Sequence, residues 1–178
     1  KTKNEKETIE KINYALKSYP RNLILNQFKE DLVLKKTDKI NNHFDCKNIS
    51  HVLAEIFYIT SNILSSQSIY SMSNFYLSLG KYLNPNFISF DAFQAENFYM
   101  NENLEEAKNR YEKVLKGGTF YKWHASKRIA SILLEQDKTE EGFKIISSTY
   151  KKMAKPSIND IYDYASFLKN NEKFEESI

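Results

Sequence analysis

Apolar residues recur along most of the chain at the three- and four-residue spacing of an amphipathic helix. In the stretch NENLEEAKNRYEKVLKGG, residues 101–118, the side chains of Leu104, Ala107, Tyr111 and Val114 fall on one helical face. No segment alternates apolar and polar residues over the roughly four to eight positions that are typical of a strand. The pattern therefore predicts an all-α fold of about eight to nine helices.

Small residues recur in two coupled series. One series follows short polar turns at spacings of 34, 35 and 35 residues: Ser73, Ala107, Gly142 and Ser177. The other lies twelve residues upstream of each: Ser61, Ala95, Ala130 and Ala165. A large residue stands three positions after each upstream member: Leu64, Phe98, Leu133 and Leu168. Such a period is typical of a helical repeat array, in which small residues let two helices cross closely.

These positions resemble the tetratricopeptide repeat, a family built from helix pairs of about 34 residues. In this resemblance, full repeats cover residues 54–87, 88–122 and 123–157. The first repeat matches the family pattern at Phe57, Ser61, Leu64, Tyr70, Ser73, Leu77 and Pro85. The others match it at Ala95, Phe98, Ala107, Tyr111, Ala130, Leu133, Gly142 and Ile146. The resemblance implies a right-handed superhelical solenoid of antiparallel helix pairs.

The flanking segments fit the same scheme. Residues 1–20 resemble the second helix of a truncated repeat, and residues 158–178 resemble the first helix of a further, truncated one. We interpret residues 21–53 as a degenerate helical repeat. Its first helix has one apolar face, formed by Leu25, Phe28, Leu32 and Val33. We expect the chain to be a fragment of a longer protein, because a cut array exposes apolar faces.

Composition and charge narrow the classes of partner. Only three of the 178 residues are proline and four are glycine, which favours helices over turn-rich β-structure. The 26 basic and 23 acidic residues are interleaved, so no basic face for phosphates is evident and we expect no nucleic-acid partner. No apolar run approaches the roughly 18 to 20 residues of a membrane helix, so we expect no membrane span.

The motifs of common catalytic and cofactor sites are missing. The sequence contains no GxSxG, no HExxH and no phosphate-binding glycine loop. We therefore expect no enzyme activity, no catalytic residue and no cofactor. We interpret Gly117 and Gly118 as glycines that end a helix at a repeat junction.

One loop concentrates residue types that can bind a metal. The segment HFDCKNISH contains His43, Asp45, Cys46 and His51. Their spacing matches no common structural zinc site, in which ligands come in short pairs. We therefore interpret the segment as a surface loop and expect no metal there.

The resemblance also implies where a partner binds. In this family the first helix of each repeat lines a concave groove, and the corresponding residues here are Tyr58, Asn62, Tyr99, His124, Lys127, Arg128 and Tyr162. Tyrosines supply contact area and amides can bond a peptide backbone. We expect Lys127 and Arg128 to contact an anionic group of the partner.

Three functions are open at this point. The first is a non-enzymatic protein–protein interaction scaffold that binds a peptide segment or a partner subunit in the concave groove. The second is a substrate-docking arm of a larger enzyme or transferase, and the third is a structural spacer. The sequence leaves open the identity of the partner, the compartment and the oligomeric state.

Overall fold

A computed structural model describes residues 3–36, 40 and 43–171. These residues form nine α-helices and no β-strand, which confirms the all-α prediction for the described part of the chain. The helices are α1 (Lys3–Ser18), α2 (Leu23–Val33), α3 (Ile49–Ser66), α4 (Tyr70–Leu83), α5 (Ser89–Met100), α6 (Leu104–Val114), α7 (Thr119–Glu135), α8 (Thr139–Tyr150) and α9 (Ile158–Asn170).

Polar side chains determine where several helices begin. The side chains of Asn22, Asn48 and Asn103 each accept a hydrogen bond from a backbone N–H in the first turn of the helix that follows. Ser157 and Asp160 form a reciprocal capping box at the start of α9. The first N–H groups of a helix have no partner within it, so each such cap stabilises its helix by about 1 kcal/mol.

One turn geometry closes α2, α3, α5 and α7. The residues with positive φ in these turns are Lys35, Ser68, Glu102 and Asp137, with φ from 56° to 61°. In each turn a backbone N–H donates to the carbonyl five residues earlier, as Asn103 does to Phe98 at 2.9 Å. The turns are 33, 34 and 35 residues apart. The backbone therefore shows the same period as the small residues.

Most helices pack against their neighbours in sequence. The closest pairs are α3 with α4, α5 with α6, and α7 with α8, and the contacts of α4 with α5 and of α6 with α7 join these pairs into one body. The first helices of the pairs, together with α9, line one side of this body.

Small residues lie where the helices of each pair cross. Ser61 and Ser73 are fully buried, and each hydroxyl donates to the backbone carbonyl of the other, at 3.1 and 2.9 Å. A Cβ atom on Gly142 would lie 3.1 Å from the carbonyl oxygen of the buried Ala130. The prediction of close crossings is thus confirmed for these pairs. In α9 the corresponding Ala165 is only half-buried, and Ser177 lies outside the described residues.

One contact joins elements far apart in sequence. Besides packing on α1, α2 packs on α7. The Gln27 side chain is 4% exposed, and its Oε1 accepts a hydrogen bond from the Phe120 N–H at 3.2 Å. The Arg21 guanidinium, just before α2, lies 2.8 Å from the Asp163 carboxylate of α9. Helix α2 and the preceding turn therefore lie against α7 and α9.

The surface that α2 buries is polar. Its two buried residues are Gln27 and Asp31, one helical turn apart, and the Gln27 amide donates to the Asp31 carboxylate at 3.2 Å. Val33, on the apolar face identified in the sequence, is 49% exposed. The apolar stripe of this helix therefore does not mark its most buried side.

Gly118 lies in close contact with the Gln27 side chain. Gly117 and Gly118 do follow α6, but no described glycine has a positive φ. These two glycines therefore do not end the helix in a left-handed conformation. A Cβ atom on Gly118 would lie 2.0 Å from the Gln27 amide nitrogen. Gly118 therefore leaves room for the buried Gln27 side chain of α2 at the start of α7.

Candidate functional site

A cavity of about 1240 Å³ lies between α2 and the helices α3, α5, α7 and α9. Its charged lining is nearly balanced, with five Lys or Arg and four Asp or Glu residues. Five of the seven residues predicted for the concave groove line it: Tyr58, Asn62, His124, Lys127 and Arg128. The structure therefore brings most of the predicted site together.

The other two predicted residues lie outside the cavity lining. Tyr99 is half-buried beside α7, where its hydroxyl donates to the Glu135 carboxylate at 2.9 Å. Tyr162, on α9, is 66% exposed. Neither side chain contributes to the cavity wall, so only two helices, α3 and α7, supply the predicted residues that do.

Tyr58 belongs to an aromatic cluster at one end of the cavity. Its ring packs edge-on against Phe87, Phe90 and Phe93, with centroid distances of 5.9, 5.8 and 5.5 Å. Burial raises the pKa of Tyr58, and a hydrogen bond with Asn62 opposes this rise. Tyr58 therefore supports the core of α3 and α5, while exposed Asn62 lies at the cavity and its side-chain amide donates to the Tyr58 backbone carbonyl at 3.1 Å.

Glu96 of α5 holds two residues of α7. Its carboxylate accepts two hydrogen bonds from the Arg128 guanidinium, at 2.9 and 2.8 Å, and lies 2.9 Å from His124 Nε2. Burial would raise the pKa of Glu96, but the hydrogen bond from His124 and the charge of Arg128 outweigh it and lower the pKa to about 2. Arg128 also stacks over the Tyr99 ring at 5.0 Å.

Asp163 of α9 holds two further cations. Its carboxylate bonds to the Lys127 ammonium of α7 and to the Arg21 guanidinium, the latter at 2.8 Å. The ammonium of Lys127 also lies 5.4 Å from the centroid of the Trp123 ring. Both residues predicted to contact an anion, Lys127 and Arg128, thus already have carboxylate partners within the chain.

The sequence analysis did not predict these ion pairs, although the spacing of the charged residues indicates them. Glu96 and Arg128 are 32 residues apart, and Lys127 and Asp163 are 36 apart, which is close to one repeat in each case. Opposite charges one period apart on first helices could have identified them. The contribution of α2 to the cavity had no such signal.

The His43 loop is tied to neighbouring backbone. His43 Nδ1 lies 2.8 Å from the Asn86 carbonyl oxygen, and the Asp45 N–H donates to His51 Nδ1 at 3.0 Å. Cys46 is exposed. Across residues 3–36, 40 and 43–171, no group of three or more His, Cys, Asp or Glu side chains is arranged to hold a metal ion.

None of the described helices combines the length and the apolar character needed to cross a bilayer. No protein-family model matches this chain, and no curated protein matches it. Its function is therefore inferred from the geometry of the cavity and of the surfaces around it.

Proposed function

We propose that this chain is a non-enzymatic protein–protein interaction scaffold that binds a peptide segment in the cavity between α2 and the first helices. The observation that carries the proposal is the cavity itself, which runs past four first helices and measures about 1240 Å³. Pockets for small molecules typically measure about 300–1,000 Å³. A larger cavity that spans several helices suits a length of polypeptide.

The helices themselves support a solenoid of the tetratricopeptide type as the framework of this site. The left-handed turns recur every 33 to 35 residues, and small residues are buried at successive helix crossings. In such a solenoid the first helices lie side by side, which provides a groove along which an extended segment can contact each of them.

The chemistry of the lining favours a ligand of low net charge. Lys127 and Arg128 are each paired with a carboxylate, so an anionic ligand group would have to displace an existing partner. The side-chain amides of half-buried Asn159 and of exposed Asn62, which uses one N–H on the Tyr58 carbonyl, can instead bond a peptide backbone. Binding would then come from backbone hydrogen bonds and apolar contact rather than from an anion clamp.

The two other functions use this structure differently. A substrate-docking arm would bind its substrate in the same cavity and would differ only in the catalytic part to which it is joined. A spacer would have no use for a cavity that spans several helices. The cavity therefore favours a binding role over a purely structural one.

Arrayed peptides of varied sequence, followed by fluorescence anisotropy on the peptides that bind, test this proposal. We expect a subset to bind, and we expect Asn62→Trp to weaken their affinity by about tenfold or more, because the indole would fill the cavity beside α3. The control is Lys144→Trp, at an exposed position on α8, which should leave the affinity for the peptide unchanged. Failure of all peptides to bind, or equal affinity in both variants, would contradict the proposal.

A further inference from the structure

The α3–α4 pair has an apolar surface that no described part of the chain covers. This surface, which we name the α3–α4 face, comprises eight large side chains: Ile49, Leu53, Ile56, Ile59, Ile63, Ile69, Met72 and Phe75. Each of them is between 42% and 70% exposed. Soluble monomers rarely expose contiguous apolar patches larger than a few hundred Å². The face therefore has the character of an interface.

The face points away from the rest of the helical body. On α3, the Tyr58 ring and the Ser65 hydroxyl contact α5. On α4, Asn74, Ser78 and Lys81 bond to side chains of α5. With 3.6 residues per turn, Ile49, Leu53, Ile56, Ile63 and Met72 fall on the sides of their helices that point away from α5, and Ile59 and Phe75 lie at the edges of the face. They therefore form one end of the stack of helix pairs.

The spacing along α3 is that of a helix–helix seam. Ile49, Leu53, Ile56, Thr60 and Ile63 follow one another at intervals of four, three, four and three residues. This is the heptad spacing with which helices pack knobs into holes. The single hydroxyl in the seam, that of Thr60, donates to the carbonyl of Ile56 at 2.9 Å and needs no outside partner. The seam is therefore suited to a second helix with the same pattern.

The face itself carries no charged residue, which permits contact with a second copy of the same face. Glu55 is the only Asp, Glu, Lys or Arg in α3, and Lys81, the only one in α4, bonds to Asp91 of α5. An uncharged face meets its own copy without like-charge repulsion, whereas a charged one would select an oppositely charged partner. We propose that the α3–α4 face docks on the same face of a second copy of this chain, forming a two-fold symmetric dimer.

The available area agrees with a dimer. Eight large side chains at about half exposure offer roughly 700 Å², close to the ~800 Å² that each partner contributes to a standard interface. In a two-fold interface each surface meets its own copy. Ile56 stands midway between Ile49 and Ile63, so it lies beside the axis and meets Ile56 of the other copy.

Light scattering coupled to size exclusion, over a range of protein concentrations, tests the dimer. We expect a species with twice the mass of the 21.0 kDa chain. Ile56→Glu should raise the dissociation constant about 100-fold or more, because it buries an unpaired carboxylate at the centre of the interface. The matched control is Ile161→Glu on α9, since Ile161 is 48% exposed and Ile56 is 51% exposed. Circular dichroism should show the same helix content in both variants.

A second measurement uses the position of Ile56 beside the axis. In a Cys46→Ser background, Ile56→Cys should form a disulfide-linked dimer under mild oxidation, whereas Ile161→Cys should not. A monomeric wild-type chain, or a dimer that Ile56→Glu leaves intact, would overturn the proposal. Neither result would bear on peptide binding in the cavity, which the α3–α4 face does not line.

Discussion

Glu96 and Asp163 each hold two cationic or imidazole groups, and their four partners include three of the residues that line the cavity wall on α7. Because each carboxylate joins different helices, these pairs fix how the first helices sit beside one another. Charge-assisted hydrogen bonds of this kind are stronger than neutral ones. The paired groups therefore shape the cavity more than they attract a ligand.

The lowered pKa of Glu96 predicts a loss of stability in acid. Its pKa is about 2 in the folded chain and ordinarily 4.5. Above the ordinary pKa the carboxylate is ionised in both states, and its stabilisation is fully present; as pH falls toward about 2, the unfolded state binds the proton first and the stabilisation is lost. Urea unfolding should therefore show Glu96→Gln less stable than wild type near neutral pH, with a gap that closes as pH falls.

The control for this prediction is Glu112→Gln, at an exposed position on α6. Its difference from wild type should be small and should change little over the same pH range. A gap between wild type and Glu96→Gln that stays constant as pH falls would show that the ion pairs of Glu96 do not set its titration.

The buried alanines predict a second effect on stability. Ala95 and Ala130 are fully buried where the helices of a pair cross. Ala95→Leu or Ala130→Leu should lower the free energy of unfolding by roughly 1–3 kcal/mol, because the added carbons overpack the crossing. Lys138→Leu, in an exposed turn, should change it little. Equal urea midpoints for the three variants would contradict this account of the crossings.

Helix α2 packs on α7 at a point where the Gln27 side chain lies close to Gly118. Gly118→Ala would bring a methyl group to about 2 Å from the Gln27 amide, so the Gln27 side chain must move, which weakens its hydrogen bond with the Phe120 N–H of α7. We expect a loss of roughly 1–3 kcal/mol in the free energy of unfolding and faster amide hydrogen exchange in α2. Gly117→Ala, whose nearest contact is Tyr121, should leave exchange in α2 unchanged.

A double mutant separates this clash from a general loss of flexibility. If the clash with Gln27 is the cause, Gly118→Ala combined with Gln27→Ala should cost less than the sum of the two single changes. Additive costs would instead show that the alanine at position 118 acts through the backbone of α7 alone.

The positions of the crossing residues were predictable, whereas the placement of α2 was not. Crossings such as that of Ser61 and Ser73 occur within one helix pair, so the short spacing between small residues in the sequence predicts them. Helix α2 buries Gln27 and Asp31 against a helix about three repeats later in the sequence. Hydrophobic periodicity does not predict a polar contact between residues so far apart. The ion pairs of the cavity are intermediate in predictability, because their partners lie about one repeat period apart in the sequence.

Across the whole molecule, two kinds of contact have different consequences for cooperativity. Stacked helix pairs touch only their neighbours, and their stability is approximately a sum of local terms. The contact of α2 with α7 is different, because it connects the N-terminal helices directly to the middle of the stack. We therefore expect α1 and α2 to unfold together with α7 in the wild-type chain.

The single tryptophan, Trp123 on α7, makes this testable, because its fluorescence reports on α7 while far-ultraviolet circular dichroism reports on every helix. In the wild-type chain the two urea transitions should coincide. In Gly118→Ala, where the contact of Gln27 with α7 is weakened, part of the dichroism should be lost at lower urea than the fluorescence, because α1 and α2 then gain less support from the stack. Transitions that coincide equally well in both chains would mean that α2 adds nothing to the cooperativity of the fold, and that its contact with α7 is a local one.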